Sequence, residues 1–222
     1  MPGGTHQRQA DHHQTAGQPG EQIIQPRTCG PEPTQPACAE TASENAVDGL
    51  FAPLFWMAAG CLLWRLNPAA PGPLALAWMF KASSTLDSML GYRTGRLRWL
   101  GTAGARLDDL LTWLPCRMVM LTLPLVCPPW TQWLQRVQAA EQDGAADPSP
   151  NAGRSEAIYA HCIGIELGGE NRYGERLVQK PVLGAGQPTA NGPLVRAVLK
   201  ASSRLEIVWI SGLGIIQWAM NR

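Results

Sequence analysis

The sequence has no C-x-x-C pair, no G-x-x-x-x-G-K-[ST] run and no G-x-G-x-x-G run. These absences remove the usual zinc knuckles and the standard nucleotide cradles from consideration. Charge of one sign is missing too: 18 basic residues stand against 17 acidic ones, a net charge of +1. There is no global field for nucleic acid or for anionic lipid, and any electrostatics must be local. Nothing near Met1 has the basic, then apolar, then small-residue layout of a secretory signal. Phe and Tyr are scarce at three each while Trp reaches nine, a bias that fits anchoring at a membrane interface or a Trp-rich core. The six cysteines, several inside apolar runs, read as small apolar filler rather than a disulfide framework.

What is present is a hydrophobic chain with charges set into it. The stretch from Met79 to Leu111 carries Lys81, Asp87, Arg106, Asp108 and Asp109 within or against apolar runs. A charge in such surroundings needs a partner or a polar cavity to offset its desolvation, so this stretch is the expected wall of an active site. Upstream, residues 1–36 are rich in Gln, Gly, Pro, Thr and His and read as a disordered polar tail. Order is expected from Ala37, where an Ala-rich helix runs to a stop at Gly49. Glu40, Glu44 and Asp48 fall at i, i+4 and i+8 of that helix, either as a solvated acidic face or as a stripe at the mouth of the next segment.

That next segment, Leu50–Leu66, is a short span candidate with Trp56 and Trp64 as interface anchors. After the Pro-rich turn at 67–73, a second helix to Leu90 is long enough to cross, with Lys81, Thr85 and Ser88 on one face and Asp87 pointing elsewhere. Lys81 has two open readings, a snorkelling interface lysine or a ligand contact. The loop 91–104 holds Arg93, Arg96 and Arg98 and reads as a cytoplasmic positive loop or a phosphate cradle. Beyond Asp109, Pro115, Pro124, Pro128 and Pro129 interrupt the apolar run to Trp130, which favours an interfacial or re-entrant segment over a clean span. A polar lobe at about 131–204 follows. In it, a helix is expected from Ser155, capped by that residue, with the stretch from Leu167 to Gly186 as loop. A last helix from Pro193 carries Arg196, Lys200 and Arg204 and ends in a 16-residue apolar stretch, a terminal span candidate.

Three groups of segments together resemble the CobD/CbiB family of cobalamin biosynthesis. They are ETASENAVDG (40–49) with the following APLF; KASSTLDSMLGY (81–92) with ARLDDL (105–110) and LPCR (114–117); and DPSPNAG (147–153) with LGGENRY (167–173) and the Lys180-Pro181 pair. The resemblance covers about residues 37–210 in order and looks like an N-terminally truncated member. It implies a mainly α, multi-pass membrane protein with interfacial or re-entrant segments and a loop-rich polar lobe, residues 37–222, in the cell (inner) membrane with its active face toward the cytoplasm.

The activity it implies is adenosylcobinamide-phosphate synthesis: ATP-dependent amide ligation of adenosylcobyric acid with (R)-1-amino-2-propanol or its phosphate. The implied partners are the corrinoid, the amino alcohol and other cobalamin-assembly membrane enzymes, with no nucleic acid. Carboxylate activation calls for ATP and Mg²⁺, hence oxygen ligands and cations. On that basis Glu44, Asp48, Lys81, Asp87, Asp108 and Asp109 are the expected catalytic residues. Asn45, Arg93, Arg106, Asn151, Glu156, Asn171, Tyr173 and Lys180 are expected to bind substrate, and Glu40, Glu44 and Asp48 to hold metal. The alternative is a non-catalytic membrane corrinoid-binding or sensory relative, or an inactive fragment.

Overall fold

The computed structural model describes residues 35–90, 98–173 and 176–220. Apart from Gln35 and Pro36, the polar tail lies outside them, as does Arg93. The regular elements among the described residues are seven α-helices, two short helical turns (Val47–Phe51 and Trp130–Gln132) and one β-hairpin: α1 (Gln35–Ala46), α2 (Ala52–Leu66), α3 (Pro73–Leu90), α4 (Arg98–Val126), α5 (Trp133–Gly144), α6 (Ala152–Ile163), β1 (Leu167–Tyr173), β2 (Arg176–Leu183) and α7 (Gly192–Met220). The mainly helical expectation holds, and several local expectations do not.

The first helix does not stop at Gly49. It continues through a wider π-helical turn, Val47–Phe51, directly into α2. Such a turn accommodates an extra residue without breaking the hydrogen-bond ladder. Val47 and Phe51 are thereby fully buried while Asp48 stays half-buried beside a cleft. Between α2 and α3 the backbones approach so closely that a Cβ on Gly60 would lie 2.5 Å from Pro73 Cα.

The segment expected to be broken by prolines is instead one continuous helix, α4, with Pro115 and Pro124 inside it. A helical proline strips the hydrogen-bond donor from the carbonyl four residues earlier. For Pro115 that carbonyl is Leu111, and the indole Nε1 of Trp56 on α2 donates to it at 3.1 Å. A tertiary contact thus replaces the lost backbone bond.

α6 starts three residues before the expected Ser155. Asn151 sits at its N-terminus, and Ser149 Oγ accepts from the N–H groups of Asn151 and Ala152, both at 3.2 Å. Ser155 is interior and bonds back to Ala152 O. The expected loop at 167–186 contains an antiparallel hairpin, β1 pairing with β2. Gly168, at φ +80°, supplies the irregularity in its register, in a left-handed conformation that a side chain disfavours.

The core joins α1, the π turn, α4, α6 and α7. Tyr159 is fully buried, its hydroxyl 2.7 Å from Ser202 Oγ, and Phe51 meets Trp209 edge to face with ring centroids 5.1 Å apart. Cys116, Cys127 and Cys162 are buried free thiols and fit the filler reading, but Cys38 is disulfide-bonded, which the sequence reading did not expect. Two helical stretches, Gln35–Leu66 and Trp99–Val126, are long and apolar enough to cross a membrane. α3 and α7, also expected as spans, are helical but do not combine that length with that apolarity.

Candidate functional site

Three helices place their polar stripes around one cleft. On α1 and the π turn, Thr41, Glu44, Asn45 and Asp48 recur at i, i+3, i+4 and i+7, one helical face. On α3 the wall is Lys81, Ser84, Asp87 and Ser88. The expected face of Lys81, Thr85 and Ser88 is therefore rotated: Asp87 turns inward, and Thr85 spends its hydroxyl on Lys81 O at 2.8 Å. On α4, Ala105, Asp108, Asp109 and Thr112 again follow i, i+3, i+4 and i+7. Arg106 falls off that face and is exposed, away from the cleft walls.

The cleft has two lobes. An outer lobe of about 620 Å³ lies between α1 and α3 and contains Lys81. An inner lobe of about 410 Å³ lies between α4 and the turn before α6, where Asp147, Ser149 and Asn151 close it. Glu44, Asp48, Asp87 and Asp108 line both, so the two lobes are continuous along a row of carboxylates.

The turn is fastened to α4 by polar contacts. Ser149 Oγ donates to Asp109 Oδ1 at 3.0 Å, and Asn151 Nδ2 donates to Asp109 O at 2.7 Å. Arg117 donates to Asn151 Oδ1 at 3.0 Å and to Pro150 O at 2.9 Å. Asp109 and Asn151 thus hold the wall in place as well as lining it. Gly153 is needed behind them, because a Cβ there would lie 2.7 Å from Gly144 O.

Glu40, Glu156 and Lys180 form a separate, buried cluster. Lys180 Nζ lies 3.0 Å from Glu40 Oε2 and 3.2 Å from Glu156 Oε1, and Glu40 Oε1 accepts from Gly168 N at 3.0 Å. The cluster bolts the hairpin to α1 and α6. Burial pushes the Glu156 carboxyl up to about 7, reinforced by Glu40 and Glu44 and opposed by Lys180. For Lys180, burial pulls downward, but the two facing carboxylates outweigh it and its pKa is raised.

Of the expected metal set, Glu44 and Asp48 face the cleft and Glu40 does not. An α-helix turns about 40° further with every four residues, so an i, i+4, i+8 stripe drifts by about 80° from end to end. Glu40 is at the end captured by Lys180. Among the described residues no three carboxylate, histidine or cysteine side chains converge on a metal position. Glu156 and Lys180, expected on the substrate, are spent on each other. The side chains of Asn171 and Tyr173 lie outside the described residues. Thr41, Ser84, Thr112, Asp147 and Ser149 were not anticipated, although Thr112 lies on the 105/108/109 spacing and that periodicity alone marks it.

The residues that line the cleft lie within the span matched by a known family. The family model described as CobD/Cbib protein matches residues 27–202. The chain belongs to the CobD/Cbib family. It is similar to the cobalamin biosynthesis protein CobD of Synechocystis sp., with 42% identity over 81% of this chain and 50% of that protein. The CobD proteins of Pelobacter propionicus and Mycobacterium tuberculosis are 38% and 36% identical, over 74% and 78% of this chain and 47% and 54% of theirs. The chain spans about half the length of the curated relatives it matches. No solved structure matches.

Proposed function

We propose that this chain acts in cobalamin biosynthesis as the amide-forming part of an adenosylcobinamide-phosphate synthase, working at the cytoplasmic face of a multi-pass membrane protein. The observation that carries the reading is that segments of the family match scattered over more than 100 residues of sequence, from Thr41 to Ala152, meet as the walls of one cleft, with the hairpin that bears Lys180 anchored to the helix behind it. The reaction is ATP-dependent ligation of adenosylcobyric acid with (R)-1-amino-2-propanol or its phosphate. Exposed apolar side chains on α2, α3, α4 and α7, among them Leu66, Trp78, Leu110 and Ile215, support the membrane setting.

The outer lobe has the donor chemistry for Mg²⁺, hard carboxylate oxygens beside one cation; Mg²⁺ is usually bound through one or two carboxylates, with waters and phosphate oxygens completing its shell. Asp48 and Asp87 are the residues that would hold it, in place of the Glu40 set. When bound, ATP with Mg²⁺ supplies the phosphoryl group that activates a propionate carboxylate. Lys81 offers positive charge to phosphate oxygens in the same lobe. Glu44, on the wall of both lobes, is placed to take the proton released by the attacking amine. Asn45 contributes an amide at the outer rim for orienting the corrinoid.

The test is a ligation assay on the full chain in lipid nanodiscs, with adenosylcobyric acid, ATP, Mg²⁺ and either amine, product being read by mass spectrometry. Product is expected from wild type and is expected to fall by about 100-fold or more in Glu44→Gln and Asp87→Asn, with folding intact. Product formation unaffected by both substitutions refutes the site.

A further inference from the structure

The inner lobe differs in charge from the outer one. Glu44, Asp48, Asp87, Asp108, Asp109 and Asp147 stand on its walls, and no cationic side chain does among the described residues. Two further atoms set it apart from an ordinary acidic patch. Thr112 is 1% exposed, forms part of the lobe's wall, and its Oγ1 has no hydrogen-bond partner among the described residues. One turn earlier on the same face of α4, Asp108 Oδ1 is buried and equally unpartnered. A threonine in a helix normally spends its hydroxyl on its own backbone, as Thr122 does on Met118 O. An orphaned hydroxyl one helical turn from an orphaned carboxylate oxygen carries a desolvation cost that a bound cation with several donors offsets.

We infer that the inner lobe is the seat of a primary ammonium group, held by Asp108 Oδ1 and Thr112 Oγ1, and that it takes the amine substrate. The inference rests on the ligase reading for its choice of a substrate amine, and it assigns the two lobes opposite tasks: cation within, phosphate and metal without. Geometry favours an organic ammonium over a metal ion. Thr112 Oγ1 is a neutral hydroxyl acceptor, suited to one N–H of a cation with several donors, and Asp109 Oδ1 is already taken by Ser149 Oγ. At about 30 Å³ per water, 410 Å³ corresponds to on the order of a dozen waters, room for a cation of several heavy atoms rather than a bare ion. Ala105, Pro148 and Ala152 add apolar wall for a short carbon skeleton.

The experiment is calorimetric titration of the full chain in nanodiscs with 1-amino-2-propanol, with 1,2-propanediol as an uncharged comparison and with MgCl₂ as a competitor. The amine is expected to bind and the diol not to. Asp108→Asn is expected to weaken the amine by about tenfold or more, the loss of one charge-assisted hydrogen bond. Thr112→Val is expected to weaken it by several-fold and Thr112→Ser to restore it, a pair that separates hydroxyl loss from misfolding. Equal binding of the diol overturns the inference, as does amine affinity unchanged in both Asp108→Asn and Thr112→Val. Stoichiometric displacement of the amine by Mg²⁺ also overturns it, making the lobe a metal seat. Amine binding as described without any amide product refutes the ligase reading alone. Ligation that proceeds with an amine affinity blind to these substitutions refutes the lobe assignment alone.

Discussion

Replacing Lys180 with methionine leaves an apolar side chain one atom shorter and removes the ammonium that faces Glu40 and Glu156. The carboxylates are 2% and 3% exposed at the side chain, and the lysine is 22% exposed. Removing one partner from a buried ion pair costs about 3–5 kcal/mol, because the other is left charged without compensation. Water reaches Lys180 in part, and Glu156 can take up a proton, so the expected loss is about 2–3 kcal/mol. For a domain of this size that lowers Tm by about 4–12 °C, read by differential scanning fluorimetry in detergent. The triple substitution Lys180→Met, Glu40→Gln, Glu156→Gln is expected to recover much of the loss, since none of the three groups then carries a charge. A Lys180→Met protein with an unchanged Tm, or a triple variant less stable than the single one, refutes the account of the cluster as a buried charge balance. The function follows the fold here: Glu40 precedes Glu44 by one helical turn, so loosening the hairpin is expected to lower ligation without touching the cleft.

The remaining predictions concern the same scaffold. The Glu156 carboxyl is raised to about 7, so its neutral form is the one the fold favours. Its stabilisation is fully present below about pH 4.5 and is lost as pH rises through 7, a span of about 3 kcal/mol; Glu156→Gln is expected to flatten the dependence of Tm on pH between 5 and 8. Trp56→Phe removes the donor to Leu111 O and is expected to cost about 1 kcal/mol, a penalty that shrinks in a Pro115→Ala background where the backbone N–H returns; equal penalties in a double-mutant cycle contradict the replacement. Gly153→Ala forces a methyl group against Gly144 O and is expected to destabilise by about 1–3 kcal/mol and to reduce amine binding, measured by the titration above.

Much of the cleft was legible because helical periodicity is local. The Asp108 and Asp109 pair, the Glu44 and Asp48 step and the Lys81 to Asp87 stretch are charges in apolar runs, and each was expected at the site before any fold was known. Boundaries were harder. Gly49 and Pro115 carry strong local stop signals, yet the helices run through both, because a π turn and the Trp56 indole supply what the local sequence withholds. The hairpin at 167–183 was hidden by its glycines, which signal turns whether or not a pair of strands joins them.

By itself the sequence determined the family, the helical class and most of the charged residues of the cleft, since these depend on residue type and on a spacing of three to four positions. Only the tertiary structure decided which carboxylates share a cavity and which are neutralised elsewhere. Glu40 and Glu44 are equivalent in sequence, one turn apart on the same helix. What separates them is Lys180, 140 residues from Glu40, whose arrival on the hairpin converts one acid into a structural contact and leaves the other on the cleft wall. Nothing local encodes that meeting, because long-range pairing depends on how the faces of several elements pack together.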